Sequence, residues 1–351
     1  MPNIKNIHIT PDMLKKISEI DSFKTTWNGG LVRLRPEQLK SMRRIATIES
    51  VGSSNRIEGN QMSDTQIETL LRNINKTSFK SRDEEEVAGY ADLINTIFDD
   101  FATIPLNENY IKQLHKILLR YSGKDLRHRG EYKKDSNRVA AFDANGDEIG
   151  SIFETATPFD TPRLMTELVG RTRRNLADGY LHPIIVIGAF IVHFLAIHPF
   201  TDGNGRMSRA LTVLLMLQHG YSYMPYASME SIIEASKSSY YLALRGTQKG
   251  IWADNVDYEP WLTFFVNSLF KQKQHLESKI AAAMAANDAK LSATATAILD
   301  LFETQARWTA ADIARTLDKN LETVKKSVQS LVKRGILKKL GSTKSAWYEK
   351  L

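Results

Sequence analysis

The sequence predicts a mainly α-helical protein with one β-hairpin and a separate, basic C-terminal module. Apolar residues recur at three- and four-residue spacing through most of the chain, often after a proline or an acidic residue. Before the C-terminal module, only residues 137–157 show the alternation and the Asn-Gly turn that are typical of a hairpin. The excess positive charge is concentrated in residues 319–351. These observations predict a helical body followed by a small module of different character.

The apolar periodicity places the helices of the body in order along the chain. They are expected at 36–58, 63–74, 84–101, 108–119, 163–177, 183–197, 205–219, 230–248 and 258–286. The domain organisation that we expect is an N-terminal helical region at 1–107, a core at 108–275, a helical linker at 276–292 and the C-terminal module at 293–351.

The segment that is most informative about function is residues 198–209, which read His-Pro-Phe-Thr-Asp-Gly-Asn-Gly-Arg-Met-Ser-Arg between two apolar helices. Its two glycines let successive backbone N–H groups point toward one place, and the helix that follows adds the positive end of its dipole. Arg206 and Arg209 project near the same helix start and can each bind phosphate oxygens. The pattern therefore predicts a site that binds several phosphate groups.

Two other side chains of this segment suit chemistry on phosphates. Asp202 offers the hard oxygen ligand that Mg²⁺ prefers. His198 belongs to the residue type that can accept a proton near neutral pH. A Gly-Asn-Gly turn or a histidine before proline is uninformative by itself, but the whole combination predicts a catalytic site.

At every fixed position the segment matches the motif His-x-Phe-x-(Asp/Glu)-Gly-Asn-Gly-Arg-x-x-Arg, and over about residues 20–270 the chain resembles the Fic (filamentation induced by cAMP) family. The resemblance implies a Fic-type helical bundle with a β-hairpin flap. It also implies transfer of a nucleoside monophosphate, most often AMP from ATP, to a hydroxyl group of a protein.

The resemblance also implies roles for the residues of the motif. His198 is expected to deprotonate the Ser, Thr or Tyr hydroxyl of the target, and Asp202 to bind Mg²⁺ or Mn²⁺. Phe200 is expected to pack inward. The residues expected to bind the nucleotide are Gly203, Asn204, Gly205, Arg206 and Arg209. Among these, the backbone and the asparagine side chain would hold the α- and β-phosphates, and the two arginines the β- and γ-phosphates.

A second match, Ser-Asn-Arg-Ile-Glu-Gly-Asn, lies upstream at the end of a helix expected over about 36–60, which Gly59 would stop. In the family, the pattern (Ser/Thr)-x-x-x-Glu-(Gly/Asn) marks an inhibitory helix, and this implies inhibitory roles for Ser54 and Glu58. The glutamate is expected to pair with Arg209 and to prevent productive binding of the γ-phosphate. The resemblance is therefore to the class that has an N-terminal inhibitory helix.

Two weaker features are expected to complete the site. The hairpin at 137–157 corresponds to the flap, which in the family aligns the target by β-augmentation, and its acidic tip favours a basic or polar target segment. Tyr240 and Tyr241 match an aromatic pair near the nucleobase of relatives, and Gln248 falls where some relatives place an amide. The alternative for the two tyrosines is a helix packing face.

The composition, 42% hydrophobic and 25% charged, is typical of a soluble protein. The lack of cysteine excludes a disulfide framework and a thiolate zinc site, and the N-terminus lacks the pattern of a signal peptide. The longest apolar run, 184–197, is too short to span a bilayer and is expected to be a core helix with His193 packed inside it. We therefore expect a cytoplasmic protein without membrane contact.

Residues 319–351 contain nine Lys or Arg and two Glu, so their net charge of +7 equals that of the whole chain. The C-terminal elements, which resemble a winged helix-turn-helix domain, are expected as helices at 294–303, 310–317 and 321–334 and strands at 336–340 and 346–349. On the third helix, the residues expected to face the core are Leu321, Val324, Val328 and Leu331. Few side chains of this helix suit the reading of base edges, so DNA binding, protein or dimer contact, and a merely solvated basic face all remain open.

Three functions are compatible with these features. The first is an autoinhibited protein adenylyltransferase (AMPylator) that transfers AMP from ATP to a protein target, which could be the protein itself. The second is a DNA-binding transcriptional regulator whose Fic site senses a nucleotide. The third is a Fic enzyme that transfers another nucleotide or removes AMP. The presence of His198 favours chemistry over sensing, because a sensor needs no base.

Overall fold

The computed structural model describes residues 4, 7–30, 34–72, 79–142, 148–253, 256–288, 291–341 and 346–350. They form two compact units, one of Met1–Leu31 with Ser41–Leu276 and the other of Val32–Lys40 with Glu277–Leu351. The predicted mainly helical character is confirmed. The elements before the C-terminal module are α1 Pro11–Asn28, α2 Pro36–Ile57, α3 Asp64–Arg72, α4 Arg82–Asp100, α5 Glu108–Leu118, β1 Arg138–Phe142, β2 Glu148–Glu154, α6 Thr161–Asp178, α7 Pro183–Ile197, α8 Asn204–Gln218, α9 Met229–Ala235, α10 Lys237–Gln248 and α11 Glu259–Asp288.

Helix α1 is missing from the sequence-based expectations, although its start carries a clear signal. Thr10 caps the helix by accepting a hydrogen bond from Met13 N–H at 3.2 Å, and Pro11 occupies the first helical position. The buried face of α1 consists of Met13, Ile17, Ile20 and Phe23. The cap and this one-sided apolar stripe together account for a helix that the sequence interpretation overlooked.

Helix α7 is the most deeply buried element of the larger unit. Every residue from Ile184 to Ile197 is buried, as the unbroken apolar run predicts. Gly188 permits close packing, since a Cβ atom there would lie 2.7 Å from Leu262 Cδ2. Because α8 is buried along most of its length as well, the loop between α7 and α8 is held at both ends by rigid core helices.

His193 lies inside this core, as expected. It is 2% exposed, and its Nε2 lies 2.7 Å from the Tyr258 hydroxyl oxygen. Among the described residues, no helix is both long enough and apolar enough to cross a membrane.

The single helix predicted at 230–248 is wrong, because the structure has two helices, α9 and α10, that meet at Ser236. The Ser236 side chain donates a hydrogen bond to Ile232 O at 2.7 Å, and its N–H donates to Ile233 O at 3.1 Å. A serine that bonds back to the preceding turn in this way competes with the regular helical pattern. The apolar periodicity continues across the break, so it did not reveal the break.

Strands β1 and β2 form an antiparallel hairpin at the predicted place. Arg138 lies opposite Glu154, and Phe142 lies opposite Glu148. The register shifts at two points on β1, which marks irregular pairing. The predicted acidic tip, residues 143–147, lies outside the described residues.

After residue 290, the described part of the second unit contains three helices and a three-stranded antiparallel sheet. Its elements after residue 290 are α12 Ala293–Leu301, β3 Arg307–Thr309, α13 Ala310–Thr316, α14 Leu321–Lys333, β4 Leu337–Leu340 and β5 Trp347–Lys350, with strand order β3-β5-β4. Strand β3 was not predicted. On α14, Val324, Val328 and Leu331 are buried as expected, but Leu321 is 39% exposed. It occupies the first position of the helix, directly after the Asn320 cap, and so precedes the buried face.

Candidate active site

The loop after α7 presents His198 in an uncommon backbone conformation. His198 has φ 53° and ψ 60°, in the left-handed region that residues other than glycine rarely adopt. Its N–H donates to Phe194 O at 2.9 Å. Such a conformation costs on the order of 1 kcal/mol and persists only where surrounding contacts hold it, as often happens at functional sites.

The imidazole of His198 is held in one tautomer. Its Nδ1 lies 3.2 Å from Leu195 O, and since a carbonyl oxygen can only accept, Nδ1 carries the proton of this bond and Nε2 keeps its lone pair. Burial is the main reason that the pKa of His198 is lowered from 6.5 to about 4, and the positive charge of Lys133 acts in the same direction. The ring is therefore neutral at physiological pH, with a free acceptor at Nε2.

Helix α8 provides the predicted anion-binding geometry. Gly203 precedes it with φ 81°, a value that glycine adopts without strain, and a Cβ atom there would lie 2.8 Å from Leu118 Cδ2. Met207 N–H donates to Gly203 O at 2.8 Å. The N–H groups of the three residues between them belong to the first turn, which has no acceptors within its own helix. These N–H groups and the helix dipole favour a bound anion.

The side chain of Asn204 is already engaged inside the loop. Its Oδ1 accepts the Phe200 N–H at 2.9 Å, and its Nδ2 donates to Phe200 O at 2.7 Å. Phe200 is fully buried, as expected, and stacks on the His115 ring with 3.8 Å between ring centroids. The resemblance assigned the Asn204 side chain to the phosphates, whereas these contacts fix the loop. The backbone N–H of Asn204 is then the group that remains for an anion.

Asp202 and Arg206 belong to a ring of alternating charges with Arg82 and Glu86. Arg206 Nη2 lies 3.4 Å from Asp202 Oδ2, and Arg206 Nη1 lies 3.4 Å from Glu86 Oε2. Arg82 closes the ring, 3.3 Å from Asp202 Oδ2 and 2.7 Å from Glu86 Oε1. Burial opposes ionisation of Asp202, but Arg206 and the Gly203 N–H outweigh it, so the pKa of Asp202 is lowered.

Arg209 is buried and bound by the end of α2. Its Nε donates to Ser54 Oγ and its Nη2 to Ser54 O, both at 2.8 Å. Nη2 also lies 2.8 Å from Glu58 Oε1. Burial by itself would lower the pKa of Arg209, but the Glu58 carboxylate raises it above its usual range. The expected pair of Glu58 and Arg209 is therefore formed.

The Glu58 carboxylate also lies against the start of α8. A Cβ atom on Gly205 would be 2.1 Å from Glu58 Oε1, so only glycine allows this approach. The chain reaches this point because α2 ends at Ile57 and Gly59, with φ 101°, turns it away, as the sequence predicts. An acidic side chain thus occupies space beside the helix start that favours anions.

The residues present fit a metal ion that arrives with phosphates. Among the described residues, no group of three or more His, Cys, Asp or Glu side chains could hold a metal ion. Asp202 provides one ionised carboxylate beside the anion site, and Mg²⁺ is commonly held by one or two carboxylates together with substrate phosphates and water. Arg206 Nε and Arg209 Nη1 are buried without a hydrogen-bond partner in the described part of the chain. Phosphate oxygens would satisfy such donors.

The three candidates for nucleotide contacts differ in their surroundings. Tyr240 is buried, and its ring packs against Trp261 and Phe264 at 5.9 and 5.7 Å between centroids. Tyr241 is half-buried beside it, with centroids 5.1 Å apart. Gln248 is buried, and its Nε2 donates to Val192 O at 3.4 Å. The contacts of Tyr240 and Gln248 are those of packed residues, which leaves Tyr241 as the more accessible of the three.

Sequence reasoning missed three residues that hold the motif loop. Lys133 and Asn137, from the segment before β1, bind backbone carbonyls on either side of His198. His115 on α5 accepts the Gly130 N–H at 2.9 Å on Nδ1 and therefore donates from Nε2 to Asp202 O at 3.0 Å. These contacts join segments that are distant in sequence, and no local pattern signals them.

The sequence of this chain is similar to sequences of known proteins. Residues 105–216 match the model of the Fic/DOC family. The chain is 29% identical over 193 residues to the protein adenylyltransferase Fic of Culex quinquefasciatus, a match that covers 52% of this chain and 34% of the relative. The chain thus spans about a third of the length of this curated relative.

Two solved structures share the fold. A Fic domain containing signaling protein from Bacteroides thetaiotaomicron matches with a TM-score of 0.58 and 24% identity, and the match covers 77% of this chain and 97% of that chain. A Fic family protein from Desulfovibrio desulfuricans matches with a TM-score of 0.61 and 18% identity over 100% of this chain and 98% of that chain. At these identities the likeness shows the fold alone.

Proposed function

Residues 105–216 of this chain form a Fic domain, and we propose that the protein is an autoinhibited adenylyltransferase that transfers AMP from ATP to a Ser, Thr or Tyr hydroxyl of a protein target. The observation that carries the proposal is a neutral His198 with a free Nε2, next to an anion site whose Arg209 is held by Glu58. The name of the Culex quinquefasciatus relative, a protein adenylyltransferase, supports the choice of reaction.

In the proposed reaction, His198 Nε2 accepts the proton of the target hydroxyl while that oxygen attacks the α-phosphorus of ATP. A bond forms between the hydroxyl oxygen and the α-phosphorus, the bond to the oxygen that bridges to the β-phosphate breaks, and pyrophosphate leaves. The low pKa of His198 keeps the base unprotonated before each turnover. General base catalysis of this kind contributes roughly 10²- to 10⁴-fold.

The residues at the start of α8 would hold the nucleotide for this attack. The first N–H groups of the helix would bind the α- and β-phosphates, and the guanidinium groups of Arg206 and Arg209 would bind the β- and γ-phosphates. Arg209 would use Nη1, which lacks a partner among the described residues, together with Nη2, which Glu58 now occupies. A divalent ion held by Asp202 and the phosphates would neutralise charge on the leaving pyrophosphate. Positioning and charge stabilisation of this kind supply most of the catalysis in phosphoryl-type transfer.

Glu58 would keep this site inactive. It occupies Arg209 Nη2, an N–H group that the γ-phosphate needs, and it places a negative charge at the helix start. A charge-assisted hydrogen bond is worth on the order of 1.5–3 kcal/mol, which corresponds to roughly tenfold to hundredfold in the population of the productive pose. Ser54 would assist by fixing the same guanidinium on α2.

The test compares four forms of the full chain: wild type, Glu58→Gly, Glu58→Gln and Glu58→Gly with His198→Ala. Each is incubated with Mg²⁺ and ATP labelled on the α-phosphate, and protein-bound label is measured. We expect little label on the wild type, strong label on Glu58→Gly, intermediate label on Glu58→Gln, which keeps a hydrogen bond but loses the charge, and none on the double variant.

Other results would change the assignment. Label from γ-labelled ATP but not from α-labelled ATP would replace AMP transfer by phosphoryl transfer. Release of AMP from a modified protein that depends on Glu58 would assign the glutamate to hydrolysis instead of inhibition. Equal labelling of Glu58→Gly and of the double variant Glu58→Gly with His198→Ala would rule out His198 as the base.

We propose a second function for the C-terminal unit, which we interpret as a winged helix, namely binding of duplex DNA. The exposed basic residues on α14 and β4 are Lys326, Lys333, Lys338 and Lys339. Lys325, in contrast, pairs with Glu322. Exposed lysines on a helix and an adjacent strand favour a polyanion with regularly spaced charges.

DNA binding is tested with the full chain and a random duplex over a series of salt concentrations. The double reversal Lys326→Glu with Lys333→Glu should reduce the affinity and flatten the dependence of log K on log salt. Reversal of two exposed lysines of the larger unit, Lys15→Glu with Lys249→Glu, provides the matched control. Equal effects of the two double variants, or no binding by the wild type, would contradict a DNA-binding C-terminal unit.

A further inference from the structure

The backbone around His198 is held by one buried lysine. Lys133 is 3% exposed, and its Nζ donates to Ile197 O at 3.1 Å. Its own N–H donates to Pro199 O at 2.8 Å. Lys133 therefore binds the carbonyl groups immediately before and immediately after His198.

Asn137 binds the same loop. Its Nδ2 donates to Phe200 O at 2.9 Å and lies 3.5 Å from His198 O. Together with Lys133 it contacts the carbonyl oxygens of four consecutive residues, 197–200. A strained left-handed residue persists only when its surroundings hold it, and these contacts account for the conformation of His198.

The same lysine joins both ends of the hairpin. Asn137 immediately precedes β1, Thr155 immediately follows β2, and Lys133 Nζ donates to Asn137 Oδ1 at 2.7 Å and to Thr155 Oγ1 at 2.9 Å. Thr155 Oγ1 also lies 2.6 Å from Asn137 O. The base of the hairpin and the loop that carries His198 thus share one ammonium group.

The charge of Lys133 acts on His198 as well. Among the described residues, the three acceptors of Lys133 Nζ are neutral oxygens, so no carboxylate among them cancels the charge. Burial has the largest effect on the pKa of His198 and lowers it, and the hydrogen bond to Leu195 O raises it. Among charged groups, Lys133 lowers this pKa and the carboxylates of Glu58 and Asp202 raise it. Burial lowers the pKa of Lys133 itself from 10.5 to about 8, so the ammonium is largely protonated at neutral pH.

We propose that Lys133 is a positioning residue that holds the base His198 in its left-handed conformation and couples it mechanically to the hairpin through Asn137 and Thr155. The inference rests on the proposed function, since it treats His198 as the base and the hairpin as the element that the target contacts. It implies that displacement of the hairpin is transmitted to the base through this ammonium group.

The test uses Lys133→Met, which removes the charge at similar length, and Lys133→Arg, which keeps it. Lys134→Met, one residue further along and exposed, is the matched control. The titration of the His198 ring is followed by NMR in full-length protein labelled with ¹⁵N-histidine, with His198→Ala to assign its signal. Because this readout needs no catalysis, it stays informative if AMP transfer is not the reaction.

In Lys133→Met the titration of His198 should move to higher pH, whereas Lys133→Arg and Lys134→Met should leave it near that of the wild type. In a Glu58→Gly background, Lys133→Met should lower kcat by about tenfold or more, with KM for ATP within about twofold, because the residues at the start of α8 are untouched. The acid limb of the pH–rate profile should shift in the same direction as the NMR titration. Identical His198 titrations in Lys133→Met and Lys134→Met would overturn the proposal.

Variants of Thr155 test the coupling independently if the Lys133 variants do not fold. Thr155→Val removes the hydroxyl that links the hairpin to the ammonium, and Thr155→Ser keeps it. With the charge retained, Thr155→Val should leave the His198 titration unchanged but lower kcat on the protein target several-fold relative to Thr155→Ser. Equal kcat values for the two variants would contradict the coupling of the hairpin to the base.

Discussion

Glu58 Oε1 lies 2.8 Å from Arg209 Nη2, although 151 positions separate the two residues in the chain. The same guanidinium is bound twice by Ser54, so Ser54 and Glu58 together occupy three of the five N–H donors of Arg209. A phosphate needs the same N–H groups, and therefore binding of the γ-phosphate and the present position of α2 compete. The state with Glu58 on Arg209 and the state with phosphate on Arg209 differ by a few hydrogen bonds. A single substitution can therefore change which of the two states is favoured.

The first prediction concerns Ser54. Ser54→Ala removes the acceptor of Arg209 Nε and leaves a buried charged donor unsatisfied, so the free energy of unfolding should fall by about 1–3 kcal/mol. Urea denaturation measures this loss. Ser41→Ala, at an exposed position of the same helix, is the control and should change stability by no more than about 0.5 kcal/mol. A Ser54→Ala protein as stable as the control would show that this hydrogen bond is dispensable.

The second prediction concerns Arg82, which contacts the proposed metal ligand Asp202. Arg82→Ala removes a positive charge that competes with a divalent ion, so ATP binding should reach half-saturation at a lower Mg²⁺ concentration. Calorimetric titration of ATP at a series of Mg²⁺ concentrations measures the effect, with Arg82→Lys as the charge-retaining control. If Arg82→Ala instead weakens ATP binding at every Mg²⁺ concentration, Arg82 binds the nucleotide and does not compete with the metal.

The third prediction is a pH dependence of stability that involves His115. Burial lowers the pKa of His115 from 6.5 to about 4 in the folded protein, so between these values the unfolded chain binds more protons than the folded one. Stability should therefore fall as the pH decreases from 6.5 toward 4, and the full shift corresponds to about 3 kcal/mol. His115→Gln should flatten this decline.

Urea denaturation at pH 7 and pH 5 measures the decline for the His115 prediction. Only the difference between the two pH values is compared, because the substitution also removes the hydrogen bonds to Gly130 and Asp202 at either pH. His8→Gln, at an exposed histidine, should keep the wild-type slope. A slope equal to wild type in His115→Gln would mean that the ring is protonated without cost in the folded state.

The fourth prediction concerns the packing of α7. A Cβ atom on Gly188 would lie 2.7 Å from Leu262 and 3.0 Å from Phe265, inside a buried core. Gly188→Ala should therefore destabilise the protein by about 1–3 kcal/mol despite the better helix propensity of alanine. Gly170→Ala on α6, where a Cβ atom would lie 3.6 Å from the flexible side chain of Arg174, should be neutral or stabilising by comparison. Thermal or urea denaturation of the two variants measures both changes in stability.

The fold was predictable from the sequence to the extent that its signals are local. Apolar periodicity located most helices, Gly59 marked the end of α2, and the Asn-Gly turn marked the hairpin. The break at Ser236 and strand β3 were missed because neither interrupts the pattern of apolar residues. Helix α1 was missed although its cap and apolar stripe were present in the sequence.

The sequence by itself determined the chemistry that this protein can offer, because residues 198–209 are contiguous and their side chains act from one loop and one helix start. Only the tertiary structure decided how that chemistry is controlled. Lys133, His115 and Asn137 reach the motif loop from 63 to 87 positions away, and they bind mainly backbone carbonyls. Every residue has a backbone carbonyl, so such contacts leave no residue pattern in the sequence and are specified only when the helices pack together.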